Sequence, residues 1–476
     1  MKVCVLQPDY STSAVDYKNY DPKRNLSSLL PNDTVDHVFL NKLTVYKQLK
    51  ETVKHKYDIY VNLCEGYLEW EVPSIDVIHS LELLNLPYTG PNTILYDPSK
   101  ELMKYVAYTQ GVKSPNYAII DNIDLLEEQT KSLNFPLFVK PSKSGDSLGI
   151  DDGSLVNNNV ELKEKANSII DNFGEALIEE YIDGREFTVL VVGSNESGQT
   201  FAYHPVEYIF PDGKNYKTYA LKTSELHVDA NVSVKDSELA TEIINSGKKI
   251  FEGFGGGGYA RLDFRTNQNG DLCFLEINFT CSVFYTDGFE GSADYILKLN
   301  NVGQDDFLKR IIKEGIERHF KKQKKYFIKG NSVSGYGIYA SYDLDCNDVV
   351  FKGEERAQRI ATKSHVEKKW KKEELDVFKR YAYPICEEVY LLWDENPINW
   401  APQNHSCDAN TAYDGLNVIA TRKILKGEEL TLNYKDFLDD SMEPFICQCN
   451  SKNCSGLITG INGNNINHRE NLKRSR

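Results

Sequence analysis

The chain has 476 residues, 41% of them hydrophobic and 26% charged, the proportions of a globular protein, and at roughly 150 residues per domain this length implies about three units. A formal net charge of −15 argues against general affinity for nucleic-acid phosphates, and no apolar run approaches the roughly 20 residues that a membrane helix needs. The ten cysteines do not make a secreted disulfide scaffold, and the opening MKVCVLQPDY reads as a buried strand without a signal-peptide pattern, so the expected compartment is the cytoplasm.

Residues 1–96 alternate short apolar strands (Val3 to Leu6, Ile59 to Leu63) with helical stretches such as Val35 to Tyr46, the pattern of a small α/β unit with parallel strands. Residues 97–300 form a second unit. Its strands are expected at Leu137 to Lys140, Phe187 to Val192, Ala260 to Phe264 and Leu272 to Ile277, with a helix over Ser237 to Phe251. Residues 301–325 contain an amphipathic helix, Val302 to Lys325, that reads as a connector. Its lysines and arginines, with those of the tail, read as a solvated helix face and a frayed terminus. From Tyr326 the texture changes to short strands and turns, giving a β-rich unit over 326–440, a cysteine-bearing segment over 441–460 and a polar, flexible tail over 461–476. The expected fold class is therefore multidomain, α/β followed by α+β.

In Phe135 to Ile150 a strand delivers Lys140 and then enters a loop of glycines and small polar residues. Such a loop can bring backbone N–H groups close to phosphates, although most loops of this kind are simply turns. Downstream, period-two alternation puts Arg261 and Asp263 on one face of a strand, and Glu276 and Asn278 on one face of the next. Asp263, Glu276 and Asn278 are candidate oxygen ligands for Mg²⁺ shared with phosphates; a solvent-facing polar edge is the alternative that spacing leaves open.

The segments LELLNLPYTGPNT, KELMKY, FPLFVKPSKSGDSLGI, LIEEYIDGREFTV, YARLDFR and LEINFT, in this order, resemble the ATP-grasp enzymes, closest to the D-alanine–D-alanine ligase branch. The resemblance implies that Lys104 and Lys140 contact ATP phosphates and that Glu179, Glu180, Tyr181 and Ile182 line the adenine pocket. It also implies that Glu186 holds the ribose and that Lys222 approaches the γ-phosphate. Asp263, Glu276 and Asn278 would bind Mg²⁺, and Arg261 would steady the charge at the reacting centre. ATP would activate a carboxylate as an acyl phosphate for attack by an amine. The substrate positions depart from that branch at Asp146, Ser147, Thr223, Cys281 and Ser282. The loop Gln7 to Ala14 also lacks the glutamate for the first substrate's amino group. A ligase with a different amino-acid or peptide substrate is expected.

Near the C-terminus, Cys447, Cys449 and Cys454 lie within eight residues, three thiolates for one ion, with Cys407 the natural fourth ligand of a structural Zn²⁺. Cys4, Cys64, Cys273 and Cys281 sit in apolar or strand-like contexts and read as buried thiols. The turn Asn404-His405-Ser406-Cys407, the strand GEELTLNY ending in Tyr434, and the cysteine segment resemble the SET-domain lysine methyltransferases with their post-SET zinc segment. The resemblance implies that S-adenosylmethionine is bound by Asn404, His405 and the backbone of Gly335, Tyr336 and Gly337. Tyr434 would align a lysine amine for transfer. Departures are Ala409 in place of proline after the turn and Phe351 in place of a tyrosine near the donor.

The leading expectation is a two-enzyme chain, an ATP- and Mg²⁺-dependent ligase fused to a methyltransferase acting on a lysine-bearing protein or peptide. The alternative is a methyltransferase whose first part is a non-catalytic nucleotide-binding scaffold. No membrane or general nucleic-acid partner is expected, and a homodimer is a possibility.

Overall fold

The computed structural model describes residues 1–12, 21–66, 71–143, 148–193, 199–211, 213, 215–216, 230–353, 358–393, 403–441 and 443–460. Lys222, Thr223, Asp146, Ser147, part of the loop Gln7 to Ala14 and the tail therefore lie outside the described residues. The chain forms two compact units, Met1–Lys322 and Gln323–Arg476.

The first unit opens with a parallel sheet in the order β2-β1-β3, with β1 at Lys2–Pro8, β2 at Thr34–Leu40 and β3 at Ile59–Asn62. The helical expectation over Val35 to Tyr46 is corrected here. Thr34–Leu40 pairs residue for residue with β1, and the helix begins only at Val45, running to Thr52. The i, i+3, i+4 placing of Val35, Val38 and Phe39 imitates a helix, but parallel pairing along β1 wins over local pattern.

Next comes a four-stranded antiparallel sheet in the order β4-β7-β5-β6: β4 Tyr117–Ile120, β5 Leu137–Pro141, β6 Leu155–Val156 and β7 Ala176–Glu180. The helix Asn159–Phe173 covers one face with Leu162, Ala166 and Ile169. It starts where the amides of Val160 and Glu161 donate to the Asn158 side chain, and it stops at Gly174, whose φ of +81° a Cβ would resist.

A second antiparallel sheet runs β11-β10-β8-β12-β13, with β9 also on β8. Its strands are β8 Glu186–Val192, β9 Phe201–Ala202, β10 Val206–Tyr208, β11 Asn231–Ser233, β12 Tyr259–Thr266 and β13 Leu272–Asn278. β8 is apolar along nearly its whole length because both faces are covered. Phe187, Val189 and Val191 join a core with the helix Ser237–Gly253, while Leu190 and Val192 join a core with β1 and β3. Each such burial contributes about 1.5–3 kcal/mol relative to exposure.

The helix read as a connector spans Gln304–Lys322 and contributes Phe307, Leu308, Ile311 and Ile312 to that second core. Its Gly315 lies against the Tyr88 carbonyl, which a Cβ would approach to 2.6 Å, and Arg318 donates to the carbonyls of Tyr88 and Gly90.

The second unit is built of short strands. A hairpin pairs β14 Tyr326–Asn331 with β15 Gly335–Ala340. A five-stranded sheet runs β16-β22-β21-β23-β20, from β16 Val349–Phe351 through β20 Asn404–His405, β21 Thr411–Asp414, β22 Asn417–Ala420 and β23 Thr431–Leu432. β20 runs parallel to β23, so the asparagine–histidine pair and the strand leading to Tyr434 lie side by side. Three further strands and two helices, Lys363–Lys369 and Lys372–Tyr381, share a smaller core around Phe378 and Tyr390. No helix among the described residues is long and apolar enough to cross a membrane.

Candidate functional sites

In the first unit one cleft, about 960 Å³ with its open mouth included, collects residues from both antiparallel sheets. β5 supplies Lys140 and β7 supplies Glu179 and Glu180, followed by Tyr181 and Ile182 in the connection to β8, whose first residue is Glu186. β12 contributes Arg261, Asp263 and Arg265, and β13 contributes Glu276. Cross-strand pairing sets Asp263 opposite Glu276 and Arg261 opposite Asn278. Asn278 is two residues beyond Glu276, its amide 3.4 Å from that carboxylate.

The charges in the cleft are paired by the fold itself. Arg261 donates twice to Asp263, at 2.9 and 3.1 Å, and Lys100 reaches Glu276 at 3.1 Å. Glu179 is buried between Lys104 and Lys140. Burial alone would push its carboxyl pKa up, but the two ammoniums outweigh burial and hold it down at about 2. Behind it, burial pulls the Lys104 ammonium below its ordinary value.

On the wall of the same cleft, Phe138 and Tyr181 lie nearly parallel, centroids 6.1 Å apart, and Tyr216 meets Phe138 edge-on at 5.1 Å. A flat heteroaromatic ring suits such walls, and the oxygen donors of Asp263, Glu276 and Asn278 suit a hard divalent cation.

Nine of the residues singled out in the sequence thus line one cleft: Lys140, Glu179, Glu180, Tyr181, Ile182, Glu186, Arg261, Asp263 and Glu276. Lys104 does not. Its ammonium is committed to Glu179 at 2.8 Å with 2% of the side chain exposed, and of these two lysines on one helix it is Lys100, one turn earlier, that lines the cleft. Sequence reasoning also passed over Arg265 and Tyr216. The segments KELMKY and YARLDFR contain Lys100 and Arg265, but neither spacing distinguishes a lining residue from its neighbour.

In the second unit, the Asn404 amide donates to the Tyr336 carbonyl at 3.0 Å and to Glu429 Oε1 at 2.8 Å. Gly337 lies in the same crook, where an added Cβ would come within 2.3 Å of Glu429 Oε1 and 2.9 Å of the Asn404 amide. Gly335 turns the hairpin with a φ of +84°. Glu429 also accepts from Asn331 at 3.3 Å. It is a network member to which its place in GEELTLNY assigned no role.

His405 Nδ1 accepts from the Tyr434 amide at 3.1 Å, and the Tyr434 hydroxyl donates to the Gln403 carbonyl at 2.7 Å. Burial raises the Tyr434 phenol to about 12, so it stays neutral through the physiological range. Burial, helped by Lys435, lowers the His405 imidazole below its ordinary value.

Beside them the sulfurs of Cys407, Cys447, Cys449 and Cys454 all lie within 4.8 Å of one another, with Cys407 and Cys447 at 3.9 Å. Thiolates about 2.3 Å from a tetrahedral Zn²⁺ stand about 3.8 Å apart, so this donor set fits that ion. The amides of Ser455 and Cys449 donate to Cys407 and Cys447 sulfurs at 3.4 Å, as outer partners of metal ligands do. Cys4, Cys64, Cys273 and Cys281 are buried free thiols.

Residues 105–286 match the family of the D-ala D-ala ligase C-terminus, and residues 335–435 match the SET domain. Among curated relatives, the D-alanine–D-alanine ligase of Aquifex aeolicus is 30% identical over 201 residues, covering 42% of this chain and 64% of that enzyme. The corresponding ligase of Lactococcus lactis subsp. cremoris is 27% identical over 241 residues, covering 49% of this chain and 65% of the relative. The chain thus spans less than two thirds of the length of either. Among solved structures, D-alanine–D-alanine ligase from Bacillus anthracis is 18% identical with a TM-score of 0.49, covering 68% of this chain and 100% of that one.

Proposed function

We propose, from a chain that joins a D-alanine–D-alanine ligase C-terminal ATP-grasp region to a SET domain followed by a four-cysteine cluster, that two enzymes share one polypeptide. The first is an ATP-dependent carboxylate–amine ligase, and the second transfers a methyl group from S-adenosylmethionine to a lysine. What supports the pair is convergence within each unit. In the first, Lys100, Lys140, Asp263 and Glu276 come from a helix and three strands to one cleft.

In the ligase reading, an oxygen of the substrate carboxylate attacks the γ-phosphorus of ATP, and ADP leaves. The amine nitrogen then attacks the acyl carbon, phosphate leaves, and the amine proton passes to solvent. Lys100 and Lys140 neutralise phosphate oxygens, and Arg261 does so for charge developing at the centre. The expected Lys222 contact with the γ-phosphate belongs to the same proposal. Asp263, Glu276 and Asn278 would hold Mg²⁺, which supplies charge neutralisation between the phosphates. The carboxylate and the amine would come from amino acids or peptides.

In the methyltransferase reading, the lone pair of a neutral lysine amine attacks the methyl carbon and the sulfur leaves with its bonding pair. Gly335 to Gly337, Asn404 and His405 form the donor's seat. Tyr434, neutral at working pH, orients the amine through its oxygen. Cys407, Cys447, Cys449 and Cys454 would hold a structural Zn²⁺ that ties the later segment to this turn. The acceptor would be a lysine-bearing protein or peptide.

The test uses the full-length chain with two readouts, ADP released in the presence of Mg²⁺ and mixed amino acids, and methyl groups transferred to lysine peptides. Asp263→Asn is expected to lower the first by about 100-fold and leave the second intact. Tyr434→Phe is expected to do the reverse, again by about 100-fold. A wild-type chain that binds ATP yet releases no ADP with any amino acid would replace the ligase reading with the nucleotide-binding scaffold.

A further inference from the structure

Arg265 is a buried arginine on the wall of the nucleotide cleft that the ligase reading does not use. It lies on β12 four residues after Arg261, and the regular pairing of β12 with β8 sets it directly opposite Glu186. One guanidinium nitrogen donates to the carbonyls of Gly184 at 2.8 Å and Asn215 at 2.7 Å. The guanidinium centre sits 5.0 Å from the Tyr181 ring and 5.6 Å from the Phe210 ring. Its Nε is 3.9 Å from Glu186 Oε2, an ion pair too long for a hydrogen bond, and has no hydrogen-bond partner among the described residues.

A guanidinium with 5% of its side chain exposed and its Nε donor unmet among the described residues carries a desolvation cost that a ligand acceptor would relieve. Arg265, Glu186 and Tyr181 all line the cleft, with the Nε itself just beneath the wall. A vicinal diol is complementary to this arrangement: one hydroxyl donates to Glu186 while its oxygen accepts from Arg265 Nε. An isolated hydroxyl satisfies only part of it. The two carbonyl anchors meanwhile fix the guanidinium, so the donor is preorganised.

Resting on the nucleotide reading of this cleft, we propose that Arg265 is a specificity-determining residue that, with Glu186, makes the site select ribonucleotides over deoxyribonucleotides. The residue acts on the sugar and leaves phosphate binding to the lysines. Because its anchors hold the loop before β8 and the segment at Asn215, losing it lowers stability as well, so stability alone is not a sufficient readout.

The test is calorimetric titration of the full-length chain with Mg·ADP, Mg·2′-deoxyADP and Mg·3′-deoxyADP. Wild type is expected to bind ADP about tenfold or more tighter than at least one deoxy form, the worth of a hydrogen bond to a charged group. Arg265→Met is expected to bring the ribo and deoxy affinities within about twofold, chiefly by weakening ADP. Arg265→Lys, which keeps the charge without the planar fork, should fall between. Equal weakening of all three nucleotides by Arg265→Met would reduce the residue to a structural clasp and overturn the proposal. Wild type binding all three alike would overturn it without any variant, and so covers the case in which Arg265→Met fails to fold. If wild type binds no ADP at all, the nucleotide reading itself falls, an outcome separate from the loss of selectivity.

Discussion

Glu179 is surrounded by two ammoniums, and its chemistry follows from that placement rather than from its type. Its pKa is held at about 2, below the ordinary 4.5, so the charged form contributes stability that is fully present above pH 4.5 and is lost as pH falls toward 2. Glu179→Gln would leave Lys104 buried without its anion, at a cost of about 3–5 kcal/mol. Chemical denaturation at neutral pH is expected to show that loss, and the acid limb between these two values should flatten in the variant. Gly337→Ala is the residue-scale probe of the second unit. Its methyl would meet Glu429 and Asn404 side by side, so S-adenosylhomocysteine binding should fall by about tenfold or more, read by calorimetry, with about 1–3 kcal/mol of destabilisation. An unchanged affinity would remove that crook from the donor site. Asp263 and Glu276 were legible in the sequence because strands present alternate residues predictably, Lys140 because a strand delivers it to a glycine-rich loop, and Glu179 only through the family resemblance. That Lys100 and not Lys104 lines the cleft was not legible, since two lysines one helical turn apart share a face and only tertiary depth separates them.

The helix Gln304–Lys322 shows how an element can be read correctly in extent and differently in role. Its apolar stripe was visible, and its bounds fall within the expected Val302 to Lys325. Its packing was not visible, because the partners on β1, β3 and β8 lie far earlier in the chain. Phe307 is fully buried against Tyr203, Tyr259 and Phe284, with ring centroids 5.3 to 6.0 Å away. Phe307→Ala is accordingly expected to destabilise the first unit by about 3–5 kcal/mol and to leave the second unit's melting unchanged. A loss of less than about 1 kcal/mol would mean that the helix is a tether after all. β2 is the converse case. Thr34–Leu40 carries both a helical spacing and strand-forming residues, and only the register along β1 decides between them. β8 gave no such trouble, because its mostly apolar run, Phe187 and Val189 to Val192, fits a strand covered on both faces.

At the scale of the whole molecule, the two units divide after Lys322, each with its own cores. Residues 1–322 and 323–476 are therefore expected to fold as separate fragments. The four-cysteine cluster belongs to the second alone, so a zinc chelator should lower that fragment's melting temperature and leave the first unmoved. The central claim, two cofactor sites in one chain, is tested most directly by titrating one full-length sample with a non-hydrolysable ATP analogue plus Mg²⁺ and then with S-adenosylhomocysteine. The account predicts that both bind, at about one site each, and that Asp263→Asn weakens only the nucleotide while Gly337→Ala weakens only the methyl-donor product. Failure of either ligand to bind a folded, zinc-replete sample would contradict it.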